Sequence, residues 1–307
     1  ASYWSGFGQA VIFGVLQVGG FGIMSAATLL ALLLSRRLSL SRQLVVQAEA
    51  KGIALGDVKE VLRLVLGVML AVQAVVATIL TVHFMAHEEP FGRALWHAVF
   101  HAAAAFTNAG FTTFPGGITT FASDPTMLAA LMAAVVIGGL GLPVLHDLRH
   151  ARMHPAHWSL HTKLTLFGTA ALLVAGALAT LVFEWSNPGT LGPMAPMDRV
   201  INALFHSVMT RSGGMNTFDT AAIGSESLLM TYALMLIGGG SAGTAGGIKV
   251  STFLILGLAV WSELRGQRDV VAFGRRVSAE VQREALTVVL LAVMIVFLSV
   301  FALQELS

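Results

Sequence analysis

Long apolar stretches separated by polar connections dominate the chain. Six of them, at roughly 8–34, 61–86, 127–146, 163–184, 227–261 and 284–303, are rich in Leu, Val, Ala and Ile. A helix needs about 20 apolar residues to cross a hydrocarbon core about 30 Å thick. The pattern therefore predicts six membrane spans, the fifth of which is interrupted by the glycine-rich run 238–247.

Positive charge alternates between the connections. Fourteen of the 18 Lys and Arg fall in three connections, 35–63, 147–163 and 263–284. Because basic loops stay in the cytoplasm, we expect a multi-pass protein of the plasma membrane with residues 1 and 307 both on the extracellular side. Composition agrees, since only 11% of residues are charged, against about 25% in soluble domains. We therefore expect most of the protein surface to face lipid.

Each of the two long external connections holds an apolar stretch too short to span, at 94–106 and 200–209. A glycine-containing turn follows each stretch, and TNAGFTTF at 107–114 aligns with RSGGMNTF at 211–218 at a period of 104 to 105 residues. Non-helical backbone survives at membrane depth only where protein or water satisfies its polar groups. We therefore interpret the two segments as re-entrant pore loops built from copies around an axis.

Glycine clusters at 19–22, 138–141 and 238–240 mark three inner helices. The predicted fold class is an all-α integral membrane protein made of repeated helix–pore-loop–helix units. The predicted boundaries are a first inner helix at 1–34, a cytoplasmic loop at 35–60, complete units at 61–150 and 151–265, and a cytoplasmic loop with a fourth outer helix at 266–307. We expect the first and fourth pore loops to lie in flanking sequence or to come from another chain.

Three segments resemble the Trk/Ktr/HKT superfamily of potassium transporters, and in particular its bacterial Ktr/Trk-type membrane subunit. They are FTNAGF at 106–111, TRSGGMNT at 210–217 and GGGSAGTAGGIK at 238–249. The resemblance implies a pseudo-fourfold pore that takes up potassium or another monovalent cation. It also implies a homodimer and a cytoplasmic, nucleotide-binding regulatory ring as partners. Met215 and Ala245 depart from the usual Phe and frequent Gly of the family, and the preference between potassium and sodium stays open.

Backbone carbonyls can replace the water shell of potassium, so the turns are the candidate ion filter. Glycine at a turn adopts conformations closed to other residues, which makes Gly110 and Gly214 the pivots. The competing interpretation is that these glycines only permit close helix packing. The predicted filter residues, with potassium as the transported ion at their carbonyls, are Thr107, Asn108, Ala109, Gly110, Arg211, Ser212, Gly213 and Gly214.

The run 238–247 has six glycines in ten residues, each costing about 1 kcal/mol against alanine in a helix. We interpret it as a flexible intramembrane gate, with a tight helix crossing as the alternative. Lys249 either contacts the carbonyls of this run or extends to the cytoplasm. The predicted gate residues are Gly238, Gly239, Gly240, Ser241, Ala242, Gly243, Thr244, Ala245, Gly246, Gly247 and Lys249.

Arg211 is unusual beside a cation filter, because burying a charge in the membrane is costly. We expect its guanidinium to lie behind the filter and tie loop carbonyls together, with Asp219 and Glu226 as possible partners; an exposed surface arginine is the alternative. For His97, His101 and His206, hydrogen bonding within the pore helices is favoured over zinc binding. A second histidine group is interpreted as a partner-contacting surface, with pH or metal sensing as alternatives, and comprises His146, His150, His154, His157 and His161.

Catalytic motifs are missing from the sequence, which has no Walker loop, no HExxH and no GxSxG elbow. We therefore predict neither an enzyme nor a covalent cofactor, and no nucleic-acid partner. Two other classes compete with the pore: a solute carrier with a broken helix, and an incomplete or non-conducting membrane fragment or scaffold. The parallel direction of the two repeats favours the pore over a carrier built from inverted repeats.

Overall fold

The computed structural model describes residues 1, 3–36, 58–150 and 154–306, and these ranges hold ten α-helices and one two-stranded hairpin. Most of the predicted cytoplasmic loop 35–60 lies outside the described residues, as does Arg152 of the second basic connection. Helix accounts for nearly all the regular structure, so the predicted all-α class is confirmed.

Within the described ranges, four helices are long and apolar enough to cross a membrane: α1 (Gly6–Arg36), α2 (Val58–Ala86), α6 (Leu160–Glu184) and α10 (Ala279–Leu306). They match four of the six predicted spans. Their outward faces carry exposed Leu, Val, Ile and Phe, and α10 is exposed along most of its length. Such surfaces suit lipid, since in water they would be unfavourable over so large an area.

The third predicted span, 127–146, is not straight. It forms α4 (Pro125–Leu140) and α5 (Leu142–His150), which are bent by 95° at Gly141. Gly141 has a φ of +87°, and a Cβ built on it would lie 2.0 Å from the carbonyl oxygen of Ser241. The bend is therefore fixed by the close approach of the backbone of the glycine-rich run, which the sequence pattern of this span does not reveal.

The fifth predicted span, 227–261, is interrupted as expected. Helix α8 (Ser225–Leu236) and helix α9 (Val250–Leu264) flank a non-helical segment, 237–249, which we call the intramembrane loop. Each helix alone is shorter than the roughly 20 residues that a span requires.

Two short helices begin the re-entrant segments: α3 (Phe91–Phe106) and α7 (Pro196–Val208). A π-helical turn, Met209–Gly213, follows α7. Both helices start three to four residues earlier than predicted, and α7 begins with a proline, which suits the first turn of a helix. The C-terminal half of α3 is enclosed, with Ala102 to Phe106 at 0% exposure, so this helix lies in the core of the molecule.

The third basic connection contains a small hairpin that the sequence analysis did not predict. Strands β1 (Val271–Ala272) and β2 (Arg275–Arg276) pair antiparallel around Phe273 and Gly274. Val270, Ala272 and Val277 are buried in a cluster with residues of α6, α9 and α10, so the connection is folded onto the helices.

Candidate functional site

The two pore helices carry equivalent histidines in equivalent surroundings. His101 bonds to His97 O at 2.7 Å and Thr112 Oγ1 at 2.9 Å, and its ring stacks on Phe114 with centroids 4.8 Å apart. In the second copy, His206 bonds to Thr231 Oγ1 at 3.1 Å, and its ring lies 5.2 Å from Phe218. These histidines are hydrogen-bonded packing residues, and the described residues hold no cluster of three or more potential metal ligands.

The turns that follow the pore helices, 107–110 and 211–214, share one backbone pattern; we call them the first and second filter turns. Positive φ occurs at aligned positions: Asn108 (+55°) with Ser212 (+94°), and Gly110 (+70°) with Gly214 (+72°). Left-handed backbone is uncommon for residues with a Cβ, and such strain concentrates at functional sites. The sequence alignment identified the two glycines, whereas the matching conformation of Asn108 and Ser212 is visible only in the structure.

The structure brings the two filter turns into contact. A Cβ built on Gly110 would lie 2.9 Å from both the Cα and the carbonyl oxygen of Gly214, and one on Gly214 would lie 3.2 Å from Gly110 Cα. Only residues without a Cβ allow this approach. All eight predicted filter residues therefore lie in two adjoining turns, although their sequence positions are about a hundred residues apart.

The carbonyl oxygens of the filter turns receive no hydrogen bond from the part of the chain that the structure describes. Within the described ranges, no N–H or O–H group donates a hydrogen bond to a carbonyl of 107–110 or 211–214. Asn108, Ala109, Gly110 and Ser212 are partly exposed and Gly214 is exposed, so the turns lie at an accessible surface of the described part of the chain. Carbonyls in such a position are available to coordinate a cation.

The intramembrane loop packs directly against the bend between α4 and α5. Gly240 N donates to Gly139 O at 2.7 Å, and Thr244 N donates to Gly138 O at 3.0 Å. The loop also closes on itself, since a Cβ on Gly238 would lie 1.5 Å from Gly246 O. Its glycines are thus needed for close approach of backbone to backbone.

Arg211 is buried, with 6% of its surface exposed, and lies behind the second filter turn. Its guanidinium donates to Gly238 O at 2.7 Å and to Thr169 O and Ile237 O at 3.4 Å each. It therefore links the turn to the intramembrane loop through carbonyl dipoles, which offset part of the cost of burying the charge.

The partners suggested for Arg211 from the sequence were wrong. Asp219 instead accepts a hydrogen bond from Ala221 N at 2.9 Å and caps a short 3₁₀ turn, while Glu226 is exposed at the start of α8. Lys249 takes the first of its two alternatives, because its Nζ donates to Ala245 O at 2.8 Å within the loop.

Sequence reasoning missed a buried carboxylate at the C-terminal end of α6. Glu184 is 1% exposed and accepts hydrogen bonds from Thr190 Oγ1 at 2.7 Å, Asn187 Nδ2 at 2.6 Å and Gly224 N at 3.0 Å. It joins the connection after α6 to the start of α8. A lone acidic residue at the end of an apolar run was the available signal.

Membrane-length helices, two short helices that each end in a left-handed turn, and a broken span define the class: a multi-pass membrane protein with paired re-entrant loops. The family model of TrkH, described as a cation transport protein, matches residues 1–307. The chain therefore belongs to the TrkH cation transport protein family, which is a family of transporters and not of enzymes.

Individual relatives agree with this assignment. The Ktr system potassium uptake protein B of Bacillus subtilis is 34% identical over 97% of this chain, and the potassium/sodium uptake protein NtpJ of Enterococcus hirae is 29% identical over 99%. The chain spans 66% and 67% of their respective lengths. The crystal structure of the potassium transporter TrkH from Vibrio parahaemolyticus has the same fold, with a TM-score of 0.64 at 18% identity over 89% of this chain and 54% of that one.

Proposed function

We propose that this chain forms part of a pathway for the uptake of potassium, or a related monovalent cation, across the plasma membrane. The observation that carries the proposal is the contact between two filter turns whose carbonyls accept no hydrogen bond from the described residues. The names of the relatives, which specify potassium uptake or potassium and sodium uptake, favour the same substrate class.

In this proposal, the carbonyls of 107–110 and 211–214 replace part of the hydration shell of the ion. Potassium is a weakly hydrated monovalent cation, so a set of neutral oxygens can compensate for its lost water. The left-handed residues of each turn hold the backbone in place before the ion arrives, which reduces the reorganisation that binding requires. The two turns account for half of a four-sided filter, and the remaining pore loops are assigned to flanking sequence or another chain.

The intramembrane loop serves as the gate of this pathway. Its contacts with Gly138 and Gly139 hold it in one closed arrangement, and Arg211 and Lys249 add donors to its carbonyls. Transport then requires the loop to leave this position, and broken helices at membrane depth supply backbone groups that can meet an ion during that movement.

The boundaries and surroundings of the pathway follow from the same proposal. Complete units occupy 61–150 and 151–265, residues 1–34 and 266–307 contribute to two further units, and the two ends of the chain face outside. The exposed apolar face of α10 contacts lipid or the rest of the fourth unit. The protein works as a homodimer with a cytoplasmic, nucleotide-binding regulatory ring, for which the basic connections are the docking surface.

Complementation tests the proposal directly. The full-length protein is expressed in a bacterium that lacks its own potassium uptake systems, and growth at low potassium and uptake of rubidium and sodium are measured. We expect growth and rubidium uptake above the empty-vector level. Equal growth and uptake with and without the membrane-inserted protein would overturn the proposal and favour a non-conducting scaffold, and uptake of an organic solute alone would favour a carrier.

A further inference from the structure

The first left-handed residue of each filter turn contacts the intramembrane loop through its side chain. Asn108 Nδ2 donates to Thr244 Oγ1 at 2.6 Å, and Ser212 Oγ accepts a hydrogen bond from Gly246 N at 2.9 Å. Asn108 and Ser212 occupy aligned positions of the internal repeat, and the loop residues that they contact are two positions apart. Both filter turns, which are copies of one repeat, thus form a hydrogen bond with the intramembrane loop.

The first of these contacts continues into the backbone of its own pore helix. Thr244 Oγ1 donates to the carbonyl of Phe106, the last residue of α3, at 2.8 Å. Gly138 leaves the space for this bond, because a Cβ there would lie 2.1 Å from Phe106 O and 2.9 Å from Thr244 Oγ1. One hydroxyl therefore bridges the Asn108 side chain of the first filter turn and the main chain at the end of α3.

The second contact lies beside the guanidinium of Arg211, which bonds to Gly238 O at the opposite end of the loop. Ser212 has a φ of +94°, where glycine would fit with less strain. A strained residue that persists is held by its surroundings. The hydroxyl of Ser212 supplies one such restraint through its bond to Gly246, so the side chain does more than fill space.

We propose that Asn108, Ser212 and Thr244 are positioning residues that couple the intramembrane loop to both filter turns. The loop cannot leave its closed position without breaking the Asn108–Thr244 and Ser212–Gly246 bonds, and their loss releases a restraint on each turn. Opening of the loop and the ion preference of the filter are therefore linked. This inference rests on the proposed function, since it describes how the same filter and gate communicate.

The side-chain contacts can be removed without changing the backbone. Asn108→Gly and Ser212→Gly delete each side chain while glycine tolerates the positive φ. Thr244→Val deletes the hydroxyl at nearly constant volume, and Thr244→Ser restores it. Thr119→Val is the matched control, because Thr119 Oγ1 donates to Gly116 O in an exposed external turn.

Loop position can be followed with a single thiol. Residues 1–307 contain no cysteine, so Ser241→Cys in the intact protein purified in detergent, with any cysteine of the flanking sequence changed to serine, introduces the sole reactive sulfur. We expect Asn108→Gly, Ser212→Gly and Thr244→Val each to raise the rate of thiol modification roughly fivefold to tenfold, the effect of losing one hydrogen bond. Thr244→Ser and Thr119→Val should keep the parent rate. In cells, the first three variants should also show a lower ratio of rubidium to sodium uptake.

The outcomes distinguish a failure of the proposed coupling from a failure of the proposed function. Parent-level modification rates and ion preference in all three variants, in a protein that takes up rubidium, would overturn the coupling and leave the proposed function standing. A parent protein without cation uptake would overturn both. If the glycine variants do not fold, the comparison of Thr244→Val with Thr244→Ser decides, since equal rates for these two contradict the coupling.

Discussion

Gly110 offers a direct test of the contact between the filter turns. Gly110→Ala places a methyl group 2.9 Å from both the Cα and the carbonyl oxygen of Gly214, closer than real Cβ contacts. It also forces alanine into a backbone conformation with a φ of +70°. The substitution thus combines backbone strain with steric overlap at the proposed ion site.

A second glycine separates these two effects. Gly117 has the same φ of +70°, but a Cβ on it would have no heavy atom within 4 Å. Left-handed backbone costs about 1–2 kcal/mol for a residue with a Cβ, and both variants share this cost. Overpacking adds about 1–3 kcal/mol at Gly110 alone. Since 1.4 kcal/mol is about tenfold in an equilibrium, the intact filter should be depopulated about fivefold to a hundredfold more in Gly110→Ala.

The assay is rubidium and sodium uptake in cells, together with the amount of folded protein recovered in detergent. We expect Gly117→Ala to keep the uptake and ion preference of the parent, and Gly110→Ala to lose rubidium uptake or its preference over sodium. Gly214→Ala should resemble Gly110→Ala more weakly, because its nearest contact is 3.2 Å. Equal ion uptake in the Gly110 and Gly117 variants would refute the reasoning.

Three further predictions concern Arg211, the contact between α1 and α2, and the bend at Gly141. Arg211→Gln should impair uptake and ion preference because it removes a buried donor to three carbonyls. Arg199→Gln, which also removes hydrogen bonds to three carbonyls but near the C-terminal end of α6, should lower only thermal stability. The side-chain amides of Gln17 and Gln73 form two reciprocal hydrogen bonds between α1 and α2. Either single change to Leu should therefore lower the melting temperature, and the double change should restore most of it. Gly141→Ala should lower the yield of folded protein, because its Cβ would lie 2.0 Å from Ser241 O; unchanged yield would contradict the tight bend.

The sequence predicted the features that depend on local composition. The short apolar stretches and their glycine turns indicated the two pore helices, because each stretch was too short to span. Six glycines in ten residues indicated the break in the fifth span, because glycine is a poor helix former. Both signals are visible in a window of about fifteen residues, the range over which propensity is informative.

Features that depend on distant segments were not predictable in this way. Residues 127–145 form one continuous apolar run with a proline at 143, yet the 95° bend falls at Gly141, where the backbone of residues 241–243 packs against it. The hairpin in the third basic connection requires positive φ at Phe273 and Gly274. Phenylalanine is not a residue that signals such a turn, which is usually Asn-Gly or Asp-Gly.

The partners of Arg211 also depend on distant segments, and electrostatic reasoning from the sequence did not predict them. A buried cation suggests a carboxylate, and two acidic residues lay nearby in the sequence. The structure instead directs carbonyls of the broken span and of α6 at the guanidinium. The direction of a carbonyl at a helix break depends on tertiary packing, so charge pairing alone cannot find such an arrangement.

A glycine-rich segment is not necessarily flexible, and this bears on how the proposed gate would work. The glycines of the intramembrane loop permit backbone contacts that hold the loop closed: Gly240 N to Gly139 O at 2.7 Å, and Gly238 N to Ile248 O at 2.9 Å. Each hydrogen bond contributes about 1 kcal/mol net, and several must break together when the loop moves. Spontaneous opening should therefore be rare, and the free energy for opening has to come from a change elsewhere, such as movement of α9, whose first residue Val250 is bonded to Gly239 O.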